Sequence, residues 1–346
     1  MKANNPFTLT FGKQPNTFIS RPANAEAVTS TFLADNPVSQ AYLIEGIRGS
    51  GKTVLMTAVS AQLSADKEWI RVDLNSTQDL LSDFAVKLIS ECKKKPSLLD
   101  RGFNLSVAGF GVGIGSAGMN AEARTTLTEI LKTLKKKKKK VLITIDEVQH
   151  DHNMRAFASE FQIFLRNDYP VYLIMTGLFE QIYAIQNDPA LTFLLRTPKI
   201  SLEPLSIPQI TYEYADIFRL EPDEALALAK LTKGYAFAFQ ALGMLYFEHR
   251  DELDLNRILQ KLDALLDDYV YRKIWSDLTK REQEILHAMS KGKTTLKDIC
   301  AELSMSTSTY SKYRDLLKKK GVLVVPAQGE IAFALPRFGE VIKYYE

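Results

Sequence analysis

The stretch AYLIEGIRGSGKTVLMTAV, residues 41–59, decides how the rest of the chain is read. An apolar run from Ala41 to Glu45 stops at a glycine, and helical apolar spacing runs from Val54 to Leu63. The order is strand, glycine-rich coil, helix. The coil matches GxxxxGK[ST] at every position: Gly46, Ile47, Arg48, Gly49, Ser50, Gly51, Lys52 and Thr53, with Val54 next in the helix. Its glycines let backbone N–H groups turn inward on phosphate oxygens, and the helix behind adds its positive end. Lys52 offers a cation to β- and γ-phosphates, and the Thr53 hydroxyl is a ligand for Mg²⁺.

The strand–helix rhythm continues beyond this unit. WIRVDL (69–74), VLITI (141–145), VYLIM (171–175) and ISL (200–202) read as strands, with helical spacing over 79–92 and 154–165. Buried strands alternating with helices predict a parallel sheet covered on both faces. The third strand runs into Asp146 and Glu147. A carboxylate there suits the metal side of a phosphate site, and Glu147 can orient and deprotonate an attacking water. The pair points to hydrolysis of a nucleoside triphosphate.

Three segments stand outside the rhythm. Over 103–118, Phe110, Val112 and Ile114 alternate with glycines, which predicts a β-hairpin inserted in the core. Lys135 to Lys140 are six consecutive lysines, read as a solvated helix end and loop with contact to a polyanion as the second reading. His150 and His152 flank Asp151 too closely for a tetrahedral metal set.

From residue 206 to 268 helices follow one another without strands, and from 278 the pattern changes again. Helices over 281–290, 296–303 and 306–320, then short strands at 322–326 and 331–335, predict a winged helix-turn-helix. The expected domains are therefore 1–205, 206–275 and 276–346. Residues 281–346 hold 11 basic and 8 acidic side chains, which accounts for the whole chain's net +3. The third helix offers Ser306, Thr307, Ser308, Thr309, Lys312, Arg314 and Lys318 to a duplex, with Lys319 and Lys320 able to hold the backbone. Protein contacts through the winged helix are the alternative.

With 46% hydrophobic and 25% charged residues, the composition excludes wholesale disorder and a disulfide miniprotein. Two distant cysteines, Cys92 and Cys300, make no disulfide framework and fit a reducing cytoplasm. No stretch is long and apolar enough to read as a membrane span.

The loop, the acidic strand and the order lid then winged helix resemble the AAA+ and STAND ATPases, and within them the archaeal origin-recognition initiator ATPases. The resemblance covers about Phe18 to the C-terminus. It implies an α/β P-loop NTPase core of the ASCE type, a helical lid, ATP or ADP with Mg²⁺, and duplex DNA as partner. It also implies a γ-phosphate sensor at Thr176, an arginine presented to a neighbouring subunit at Arg196, and base contacts from Phe18 and Ile19. Gly234-Tyr235-Ala236 stands where such lids carry GxP, with alanine in place of proline. The family's signalling branch implies the alternative of a STAND-type scaffold.

Overall fold

The computed structural model describes residues 4–10, 17–95, 98, 116–327 and 329–345. The chain divides into two compact units. One comprises Arg21–Glu45 and Lys52–Ser201; the other comprises Met1–Ser20, Gly46–Gly51 and Leu202–Glu346.

The first unit is a parallel sheet with helices on both faces. Its strands are β1 (Ala41–Glu45), β2 (Trp69–Leu74), β3 (Lys140–Ile145), β4 (Val171–Gly177) and β5 (Lys199–Ser201), in spatial order β2-β3-β4-β1-β5. Its helices are α1 (Pro22–Leu33), α2 (Lys52–Ser64), α3 (Leu80–Lys94), α4 (Ser116–Lys136), α5 (His152–Arg166) and α6 (Phe179–Gln186). Strands β1 and β4 are buried along their whole length, as a sheet covered on two sides requires. Alternation assigns the faces. Leu43, Ile143 and Leu173 join Phe84 of α3, Leu127 of α4 and Phe161 of α5 in one core. On the other face Tyr42 and Tyr172 meet Phe32 of α1, with ring centroids 5.7 and 5.0 Å apart. Polar side chains cap two of the helices: Asp79 accepts from the Ser82 N–H, and Asp151 from the Met154 N–H.

The expected hairpin over 103–118 lies outside the described residues, except for 116–118, which begin α4 and are helical. Of the long helix α4, only the lysine-rich end was anticipated.

The second unit carries helices α7 (Ile207–Phe218), α8 (Pro222–Leu231), α9 (Ala236–His249), α10 (Leu255–Leu266) and α11 (Arg272–Ser276). After these come α12 (Lys280–Ser290), α13 (Leu296–Glu302), α14 (Thr307–Lys319), an antiparallel pair β6 (Leu323–Val324) and β7 (Ala332–Phe333), and α15 (Phe338–Ile342). Three helices and a ribbon are the winged-helix arrangement. Both helical segments share one hydrophobic core, from Tyr214 and Phe239 through Tyr271 to Leu286, Tyr310 and Phe338. Side chains tie them further: Arg337 pairs with Asp263, and the Tyr271 hydroxyl donates to the Pro336 carbonyl. The N-terminal segment, polar on paper, inserts Phe7 into this core against Tyr214, Phe218 and Phe239. Gly243 makes room for it, since a Cβ there would lie 2.5 Å from the Phe7 ring.

Candidate functional site

Strand order explains the polar cluster at the carboxyl end of the sheet. β4 lies between β1 and β3, with Thr176 paired to Ile44 and Met175 paired to Ile145. Thr176, fully buried, therefore stands beside the residue that follows β3, Asp146. Its hydroxyl donates to Asp146 Oδ1. The Thr53 hydroxyl, in the first turn of α2, donates to Asp146 Oδ2 at 2.7 Å. The Glu147 N–H points at both Asp146 Oδ1 (3.1 Å) and Thr176 Oγ1 (3.2 Å). Glu147 itself adopts φ 52°, a left-handed conformation that costs a side-chain-bearing residue about 1 kcal/mol or more. The Val148 N–H then closes the turn onto the Thr176 carbonyl at 2.8 Å. Thr53, Asp146, Glu147 and Thr176, chosen from three separate stretches of sequence, are thus brought together.

The donor set fits Mg²⁺. A hydroxyl and a carboxylate are hard oxygen ligands, and magnesium takes few protein groups, completing its shell with phosphates and water. Among the described residues no group of three or more His, Cys, Asp or Glu side chains could hold a metal alone. His150 is engaged otherwise. Its Nε2 lies 2.8 Å from Asp188 Oδ2, and Arg155 Nε lies 2.6 Å from the same oxygen. These bonds, His150 first and then the Ala190 N–H and Arg155, lower the Asp188 carboxyl to about 2.

The glycine loop has the backbone a phosphate cradle needs. Gly49 (φ 71°) and Gly51 (φ 92°) occupy the left-handed region, and the Ser50 N–H turns back onto the Ile47 carbonyl at 3.2 Å. Residues 234–237 grip this loop. The Tyr235 hydroxyl donates to the Arg48 carbonyl at 2.6 Å, and the Phe237 N–H to the Gly49 carbonyl at 3.1 Å. A Cβ on Gly49 would sit 2.5 Å from that hydroxyl. Burial pushes the Tyr235 hydroxyl far above the ordinary tyrosine range, so it stays a donor. Arg48 also pairs with Asp277 at 3.3 Å, and a Cβ on Gly321 would lie 3.5 Å from Ile47. The grip was not foreseen. Its sequence signal is the GYAF segment, which lacks the proline of the expected signature yet supplies a hydroxyl and an N–H. Lys52, the first residue of α2, is buried.

Phe18 and Ile19 line a cavity of about 350 Å³ with Pro208, Gln209, Tyr212 and Glu213. Its apolar wall and polar edge suit a flat heterocycle. Burial, with Asp216 nearby, raises the Glu213 carboxyl above the usual range.

Arg196 ends a 3₁₀ segment, Pro189–Arg196, and is exposed. It precedes β5, at the end of that parallel strand opposite the carboxyl ends that carry Asp146 and Thr176. In the winged helix, Ser306 is the N-cap of α14, accepting from the Thr309 N–H, while Thr307, Ser308, Thr309, Lys312 and Lys318 are exposed. Two basic residues are partly or wholly spent inside the protein. Arg314 pairs with Asp315 at 2.8 Å, and Lys320 is buried against Glu282 at 2.9 Å. Lys320 is therefore structural, because the buried Glu282 carboxylate needs a counter-charge.

Residues 39–183 match a family model described as an AAA domain, and residues 268–342 match a Domain of unknown function (DUF8462). No curated protein matches the chain significantly. A Walker-type ATPase of Pyrococcus abyssi is 15% identical, with a TM-score of 0.64 over 95% of this chain and 96% of that one. The Aeropyrum pernix ORC2 protein, in ADPNP–ADP complexes, is 15% identical, with a TM-score of 0.61 over 96% of this chain and 95% of that one. The strand order, the acid-tipped β3 and the match over residues 39–183 agree: the first unit has the AAA P-loop fold, and the chain shares its fold with these two archaeal proteins.

Proposed function

We propose that the chain is an ATP-driven switch that binds and slowly hydrolyses ATP and contacts duplex DNA through its winged helix. The single observation that carries this reading is the hydrogen-bonded set Thr53–Asp146–Thr176–Glu147 at the carboxyl end of the sheet. Magnesium bound there supplies charge neutralisation for the β- and γ-phosphates. The chain's own residues do the rest. The glycine loop donates backbone N–H groups to phosphate oxygens, and Lys52 adds a cation. Thr53 and Asp146 would hold the ion. Glu147 takes the proton of the attacking water, and Thr176 fixes Asp146 and the Glu147 backbone so that the base is aimed. Phe18 and Ile19 pack on the adenine, which is the base of the nucleotides bound by the ORC2 protein. Arg196, exposed and placed before β5, reaches a neighbouring subunit's nucleotide on self-association.

On this reading residues 1–205 are the ATPase core, 206–275 the lid and 276–346 the DNA-contacting module. The exposed hydroxyls and Lys312 at the start of α14 favour DNA over a winged helix consumed by protein contacts. A mobility-shift assay on duplex DNA with ATP, ADP or no nucleotide, using wild type and Glu147→Gln, tests the reading. Retardation that depends on the nucleotide, and is locked in its ATP form by Glu147→Gln, is expected. Retardation indifferent to nucleotide, or none, would overturn it.

A further inference from the structure

The six lysines at 135–140 are not absorbed by the nucleotide site. They sit at the opposite end of the sheet. β3 begins at Lys140 and ends at Ile145, so the run lies roughly 20 Å from the acidic cluster on strand geometry. Three elements converge on that corner. Lys135 Nζ donates to the Asn167 carbonyl past the end of α5, Lys139 Nζ to the Lys67 carbonyl before β2, and the Lys140 N–H to the Glu68 carbonyl. Lys140 lies over the Trp69 and Tyr172 rings. The segments so joined, 66–68, 132–140 and 166–168, carry nine basic and three acidic side chains. That is a local +6 in a chain whose total is +3, so the remainder is net negative. Lys67, Lys132, Lys135, Lys136, Lys138 and Arg166 are exposed there.

A helix C-terminus is stabilised by one or two cations, which Lys135 and Lys136 already provide. Further like charges repel one another, and a bound polyanion would relieve that repulsion. The acids Asp146 and Glu147 follow the other end of β3, so the proposed nucleotide site does not supply the anion for this corner. A lipid surface is disfavoured, because among the described residues none of the exposed large apolar side chains falls in these segments. A single strand is disfavoured too, because among the described residues no exposed aromatic falls in these segments to offer a stacking platform. We propose that this corner of the ATPase core binds the phosphate backbone of duplex DNA, independently of the winged helix.

The test is fluorescence anisotropy of the full chain with a labelled duplex of random sequence, titrated from about 50 to 200 mM KCl. The variants are the pair Lys136→Gln, Lys138→Gln and, separately, Lys312→Gln. Circular dichroism checks that each is folded. The lysine pair is expected to weaken binding about tenfold or more and to flatten the salt slope by about 2, at roughly 0.9 per lost phosphate contact. If both variants weaken binding, the corner and the winged helix each touch DNA. If only the lysine pair does, the corner stands and the winged-helix reading falls. If only Lys312→Gln does, or if wild type binds no duplex, the inference is wrong. Lysine-dependent binding to phosphatidylserine vesicles without duplex binding would overturn it equally.

Discussion

At Glu147 the backbone turns left-handed so that one N–H can serve two oxygens, Asp146 Oδ1 and Thr176 Oγ1. On the proposed function, that geometry separates the carboxylate meant for the ion from the one meant for the proton. Glu147→Gln should therefore leave ATP affinity near wild type while phosphate release falls about 10²- to 10⁴-fold, measured side by side. Asp188 supplies a prediction in pH. Its folded value, lowered to about 2 by His150, lies below that of an unfolded aspartate, so its stabilisation is present above that unfolded value and is lost as pH falls toward 2. Asp188→Asn should lower the melting temperature at neutral pH, and the gap to wild type should close as pH drops through 4 to 2. Residues of this kind were unequally legible in sequence. Lys52, Thr53, Asp146 and Glu147 announce themselves because phosphate chemistry dictates their types at fixed spacing. Asp188 does not, since its partner His150 is 38 positions away and nothing local marks either one.

Among the elements, the strands and the glycine loop were readable because burial on both faces demands short apolar runs. The start of helix α4 was hidden behind the glycine alternation that precedes it, where period two suggested sheet, while its lysine-rich end was legible. The grip of Tyr235 and Phe237 on the loop was hidden as well, because a hydroxyl reaching the carbonyl of a residue 187 positions away has no sequence period. Tyr235→Phe removes that bond and leaves the ring, so a loss of about 1 kcal/mol in urea unfolding is expected, with a shifted ATP affinity. In the winged helix the capping box between Thr279 and Glu282 starts α12, and the same Glu282 carboxylate is neutralised by Lys320. Lys320→Met would leave that carboxylate buried without its partner and should cost about 3 kcal/mol or more by the same measurement.

For the whole molecule, the loop residues Gly46–Gly51 group with Leu202–Glu346 rather than with the sheet they leave. The glycine loop is therefore held by the segment that precedes the winged helix and by Asp277 at its threshold. On the proposed function, Tyr235, Phe237 and Arg48 are the contacts through which a change in the loop would reach that module. The claim beneath all of this is that Mg²⁺-ATP binds at the loop and Lys52. Calorimetric titration of wild type and Lys52→Ala with ATP, with and without magnesium, tests it most directly. The account predicts magnesium-dependent binding that Lys52→Ala weakens about 100-fold, the loss of charge-assisted bonds to phosphate. Wild type that takes up no nucleotide, or a Lys52→Ala variant that binds ATP as tightly as wild type, would contradict it.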